Sequence, residues 1–137
     1  MSSEGEYSAV VLDHMRHPRN WGIINRSDGF SRITGPCGDT MEISLNVKDN
    51  TIVKCTFDTD GCGATVACGS IVTEMATGEK LCHARQIDQT MVLDCCRGLP
   101  AGNVHCAQLA ANTLRSAIDD YFQTHQSPWK KIYRIQK

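Results

Sequence analysis

The segment Met41-Glu-Ile-Ser-Leu-Asn-Val-Lys-Asp-Asn-Thr-Ile-Val-Lys-Cys-Thr-Phe-Asp58 runs twice through an alternation of apolar and polar residues. Met41, Ile43, Leu45 and Val47 are separated by Glu42, Ser44, Asn46 and Lys48. A period of two is what a strand shows when it buries one face and leaves the other in water. After Asp49-Asn50, a pair suited to a tight turn, Val53, Cys55 and Phe57 alternate with Lys54, Thr56 and Asp58. The two runs therefore predict an antiparallel hairpin, with Val53, Cys55 and Phe57 facing inward on its second strand.

Past Gly61-Cys62-Gly63 the spacing changes. Ala64, Ala67, Cys68, Ile71, Val72 and Met75 recur at intervals of three and four, which predicts a helix ended by Gly78. Two short helical pieces are expected between Glu79 and Cys96, one over Leu81 to Gln86 and one from Asp88 toward Cys95. A long helix follows from about Asn103 to Gln123, with Ala107, Ala110, Ala111, Leu114, Ala117, Ile118 and Tyr121 on one stripe and Asn103 as N-cap. On the other side of the hairpin, Phe30 to Thr34 reads as a short strand. Arg19 to Ser31, rich in Asn, Asp and Gly, reads as loop, and Tyr7 to His17 as a helix stopped by Pro18. The chain is expected to be one α+β unit.

A chain of 137 residues with 41% hydrophobic content has room for one domain with a real core. Residues 1–126 are assigned to it. Residues 127–137, which hold four of the 14 Lys and Arg residues, form a basic tail, expected to be a solvated end whose Trp129 packs back on the domain. A formal net charge of -1 gives no field to hold a phosphate backbone, so nucleic acid is not an expected partner. No run approaches the roughly 18 apolar residues of a membrane helix, and the start lacks a basic or Arg-rich leader. A cytoplasmic protein, with no membrane partner, is expected.

Eight cysteines in a chain of this size must then be explained in a reducing compartment, where clustered thiols bind metal or do chemistry more often than they form disulfides. Cys55 and Cys68 fall on the inward faces of a strand and a helix, and read as core residues. Cys82, Cys95 and Cys96 are expected to be partly buried. The vicinal pair points its side chains about 100° apart on a helix and is a poor chelate. Cys37, Cys62 and Cys106 each sit at a break in regular structure, in Gly35-Pro36-Cys37-Gly38-Asp39, in Gly61-Cys62-Gly63, and after His105 in the first turn of the long helix. Such places leave sulfur accessible. Helix N-termini also favour thiolate, so Cys106 and then Cys62 are expected to be the more nucleophilic sulfurs.

Together Cys37, Asp39, Cys62, His105 and Cys106 offer thiolate, carboxylate and imidazole, a set fit for zinc or for an iron-sulfur centre. Their spacing is neither that of a zinc finger nor that of an electron-transfer ferredoxin. Mixed and surplus ligands permit exchange. A carboxylate, a harder donor than thiolate, should hold sulfide-bridged iron less firmly, so Asp39 is expected to ease release.

These residues resemble the iron-sulfur cluster assembly scaffolds IscU and the N-terminal domain of NifU. The likeness runs from Tyr7 to about Tyr121, through Asp13-His14-Met15-Arg16-His17-Pro18-Arg19-Asn20-Trp21-Gly22, Cys37-Gly38-Asp39, Gly61-Cys62-Gly63 with Val72-Thr73-Glu74, and His105-Cys106. It implies a three-stranded antiparallel sheet with helices packed on it and a labile 2Fe-2S cluster at one end. It further implies that a cysteine desulfurase delivers persulfide sulfur to Cys106. Iron and electrons would come from frataxin-like and ferredoxin donors, and apo-proteins would receive the cluster. Cys37, Cys62 and Cys106 match the family's cluster ligands, with Asp39 or His105 completing the set, and the same pocket can hold zinc when no cluster is present.

The resemblance thus implies a scaffold and sulfur acceptor, not a turnover enzyme. Members served by an Hsp70-type chaperone carry Leu-Pro-Pro-Val-Lys before the His-Cys pair; Leu99-Pro100-Ala101-Gly102-Asn103 departs from it, which puts that partner in question. The sequence stops without NifU's further domains, as expected of a stand-alone scaffold. The alternative is a zinc-dependent sulfur acceptor of the SufU type, against which His105 and the lack of a long insertion before it argue. A purely structural zinc module is a third reading.

Overall fold

The computed structural model describes residues 7–36 and 38–125, apart from the side chain of His125. Cys37 and the tail 127–137 lie outside the described residues. Three strands, β1 (Gly29–Thr34), β2 (Thr40–Lys48) and β3 (Thr51–Thr59), form an antiparallel sheet in the order β1-β2-β3. The helices are α1 (Ala9–Arg16), α2 (Gly63–Ala76), α3 (Leu81–Ala84), α4 (Gln89–Cys96) and α5 (Val104–His125). The expected fold class is the observed one, an α+β unit with helices packed on a three-stranded sheet. No helix among the described residues is long and apolar enough to cross a membrane.

The β2-β3 turn is made by Asp49 and Asn50, both at positive φ (54° and 61°), the backbone a two-residue hairpin requires. One face of the sheet is lined by Met41, Ile43, Leu45, Ile52, Cys55 and Phe57, all buried. Helix α2 covers β3, and α5 covers β1 and β2 beside it. The approach is close at two glycines. A Cβ on Gly69 of α2 would stand 2.5 Å from Cδ2 of Phe57, and one on Gly29 would stand 2.5 Å from the Ala117 carbonyl of α5. On their far side α1 and α4 pack against α2. Helix α2 is thus enclosed, and Thr65, Ser70 and Thr73, which the spacing left off its apolar stripe, are buried as well.

One inward position differs from expectation. Asn46 pairs with Lys54 but Val47 pairs with Ile52, so Val53 is an extra residue in β3. This β-bulge shifts the alternation by one. Ile52 enters the core at 0% exposure, while Val53, expected inside, is 52% exposed.

The segment after α1 crosses to β3. The Gly22 amide donates to the Phe57 carbonyl at 2.8 Å, the Phe57 amide donates to the Asn20 carbonyl at 3.0 Å, and the Trp21 ring meets the Phe57 ring edge-on at 5.0 Å. Asn20 to Gly22, the end of the Asp13 to Gly22 motif, therefore pair with the outer edge of the sheet and protect it. Asn103 enters α5 through a 3-10 turn over Ala101–Asn103. Its side-chain oxygen, expected to cap the helix, accepts from the Tyr7 hydroxyl at 3.3 Å.

Candidate metal centre

Antiparallel pairing of Met41 with Thr59 brings the start of β2 and the end of β3 to the same end of the sheet. Three contacts fix that end: the Thr40 amide donates to Asp60 Oδ1 at 2.8 Å, the Thr59 hydroxyl to the Thr40 carbonyl at 2.5 Å, and the Gly61 amide to Thr59 Oγ1 at 3.1 Å. Asp39 immediately precedes β2, and its carbonyl accepts from the Gly35 amide at 2.7 Å, closing the β1-β2 turn. Gly38 in that turn has φ +90°, a conformation that excludes most side chains. Cys62 is the N-cap of α2, and Cys106 lies in the first turn of α5.

These three elements carry an Asp39 oxygen, Cys62 Sγ and Cys106 Sγ to within 4.8 Å of one another. His105 adjoins Cys106, its Nε2 3.7 Å from Cys106 Sγ. Three of the five ligand positions expected from sequence therefore meet, and His105 borders one of them; the fifth, Cys37, lies outside the described residues.

Accessibility and acidity depart from expectation. Cys62 is exposed, but Cys106 is fully buried. Burial is the largest influence on Cys106 and lifts its pKa above the ordinary thiol value. Burial works against the Cys62 thiolate too, but the Thr65 and Ala64 backbone amides donate to it and bring its pKa down. The expected order of the two sulfurs is thus corrected: Cys62, at the α2 N-terminus, is the more acidic. A helix N-terminus favours thiolate only where solvent or donors reach the sulfur, and the interior position of Cys106 outweighs it.

The remaining cysteines sort mostly as expected. Cys55 and Cys68 are core residues. Burial pushes the Cys55 thiol up to about 12, so it stays protonated. Cys82 and Cys95 are exposed rather than partly buried, whereas Cys96 is fully buried, and it and Cys68 influence each other's acidity. The opposite fates of Cys95 and Cys96 follow from their angular separation on α4.

Thr65 is the site residue that sequence reasoning missed. It is fully buried in the first turn of α2, and its Oγ1 lies 2.9 Å from Asp39 Oδ2, 3.3 Å from Cys106 Sγ and 3.6 Å from Cys62 Sγ. Its place three residues after Cys62, one helical turn on, was the available signal.

Comparison with known proteins agrees with this geometry. The chain is 45% identical over 118 residues to the iron-sulfur cluster assembly scaffold protein IscU 1 of Archaeoglobus fulgidus, covering 85% of this chain and 77% of that one. With the IscU scaffold protein of Escherichia coli K12 it shares 37% identity over 120 residues, 84% of this chain and 93% of the relative. Among solved structures it resembles a SUF-system scaffold protein from Fervidobacterium islandicum in fold, with a TM-score of 0.73 at 18% identity, over 85% of this chain and 99% of that one. Residues 6–127 match the NifU-like N terminal domain family, a span that takes in the whole sheet and the helices bearing Cys62 and Cys106, and the chain belongs to that family.

Proposed function

We propose that this chain is a scaffold on which a 2Fe-2S cluster is assembled and from which it passes to apo-proteins. The meeting of Asp39, Cys62 and Cys106 within 4.8 Å carries the reading. In this reading Cys37 supplies a third thiolate and His105 an imidazole for exchange. The donor set fits the cargo: thiolates hold soft, sulfide-bridged iron, and one hard carboxylate keeps the set from holding it permanently. The protein acts in the reducing cytoplasm as a carrier, not as a turnover enzyme.

Sulfur arrives as a persulfide on a cysteine desulfurase. The Cys106 thiolate attacks the outer sulfur, a new S–S bond forms, and the bond to the donor cysteine breaks with its electron pair leaving on the donor thiolate. Conversion of the transferred sulfur to sulfide takes two electrons from a ferredoxin-type partner, and a frataxin-like partner supplies iron. Because Cys106 is buried, its sulfur must become exposed to receive the load. The exposure and lowered pKa of Cys62 favour a second reading of this step, in which Cys62 takes the sulfur first. Mass spectrometry of Cys62→Ser and Cys106→Ser proteins after exposure to the loaded desulfurase separates the two.

The deciding experiment is anaerobic incubation with ferrous iron, cysteine and a cysteine desulfurase, followed by absorption and Mössbauer spectroscopy. A 2Fe-2S signal that is lost on changing Cys37, Cys62 or Cys106 to Ser is expected. Zinc retention with sulfur relay and no iron-sulfur signal would instead identify a zinc-dependent sulfur acceptor of the SufU type.

A further inference from the structure

We propose that Thr65 is a positioning residue whose hydroxyl holds Asp39, Cys62 and Cys106 in the arrangement that receives a metal. This inference rests on the reading of those three residues as metal donors. A hydroxyl has one proton and two lone pairs. A carboxylate can only accept, so the Thr65 proton goes to Asp39 Oδ2, 2.9 Å away. The two lone pairs are left for the thiols of Cys106 and Cys62, at 3.3 and 3.6 Å. Every hydrogen-bonding capacity of this buried hydroxyl is thus directed at a metal donor.

Other buried threonines in the same helical layer behave differently. Thr73 donates to the Gly69 carbonyl at 3.0 Å and Thr113 to the Leu109 carbonyl at 2.6 Å, the usual bond back along a helix. Thr65 sits in the first turn, and its hydroxyl reaches across to the β1-β2 turn and to α5. Its side chain is also fixed in place. A Cβ on Gly61 would lie 2.7 Å from Thr65 Cβ, so the Thr65 side chain fills the space that a side chain at position 61 would need.

Asp39, Cys62 and Cys106 come from three separate elements, and holding them together before the metal arrives removes that ordering cost from the binding step. Residues that orient ligands in this way typically change metal affinity by about 10- to 100-fold when removed. The ligand class is a divalent ion that accepts thiolate and carboxylate together in tetrahedral geometry.

The test is anaerobic titration of the full chain with Co2+, read by the sulfur-to-cobalt charge-transfer band and the visible ligand-field bands. Parent and Thr65→Ser are expected to bind alike. Thr65→Val, which keeps the shape, and Thr65→Ala, which avoids overpacking should Val misfold, are expected to bind about 10- to 100-fold more weakly, with altered ligand-field bands. Folded Val or Ala variants that bind like the parent overturn the role of the hydroxyl, and so does a Ser variant as weak as the Ala variant. A parent that gives no sulfur-to-cobalt band overturns the metal-site reading itself, and this proposal with it.

Discussion

His14 Nδ1 lies 2.6 Å from the hydroxyl of Ser70, joining α1 to the middle of α2. Both residues are buried. Ser70 Oγ also accepts from the Arg19 amide at 2.8 Å, and His14 Nε2 faces Glu74 Oε1 at 3.6 Å. One proton assignment satisfies the whole chain: amide to hydroxyl, hydroxyl to Nδ1, and Nε2–H toward the carboxylate. The imidazole in this chain is neutral.

Burial is the main reason that the His14 pKa lies below its ordinary 6.5; the Arg19 charge adds to it, and Glu74 and Asp13 oppose it. Below pH 6.5 the unfolded chain therefore binds a proton that the folded chain resists. Stability from this group is complete above that pH and is lost as pH falls through 6.5 toward the folded value. The melting temperature should drop between about pH 7.5 and 5.5, and a His14→Gln protein, though less stable at the higher pH, should drop less. Parallel declines in the two proteins would assign the pH dependence to other groups.

Cys55→Ser should destabilise the fold by about 1–3 kcal/mol, because it places a hydroxyl among apolar neighbours on the sheet's inner face. Cys68→Ser should also destabilise, because Cys68 is fully buried in the same core. Metal affinity should be retained in both. Urea denaturation and Co2+ titration on the same samples measure the two quantities. Loss of binding in a protein that remains folded would move either cysteine from the core into the site.

Asp39→Ala should slow transfer of a preformed cluster to an apo-acceptor several-fold, since it removes the hard oxygen donor from an otherwise thiolate-rich set. Circular dichroism of the cluster during transfer gives the rate. Equal rates for mutant and parent would remove Asp39 from the release step.

Local pattern made the hairpin legible. Two period-2 runs and an Asp-Asn turn carry their own instructions, and the same periodicity correctly placed Cys55 and Cys68 inside. What escaped depends on contacts between distant segments. The first turn of a helix looks accessible from sequence, but α5 packs on β1 and β2, and that tertiary placement buries Cys106. Thr65 reads as an ordinary helical residue until Asp39 and Cys106 arrive from other elements. Enclosure of α2 on several sides likewise hides from a stripe analysis, which assumes one wet face.

The bulge gives the sharpest contrast between pattern and packing. Strict alternation through Cys55 and Phe57 places Val53 in the core, yet the pairing of Val47 with Ile52 turns Val53 outward. In this register Ile52→Ala should cost about 2–5 kcal/mol, the range for emptying a packed site. Val53→Thr should stay within about 0.5 kcal/mol, as exposed substitutions do. Unbroken alternation would reverse the order, because Val53 would then be the buried member of the pair. Comparing urea midpoints at constant m-value for the two single mutants therefore reads the register of β3 directly.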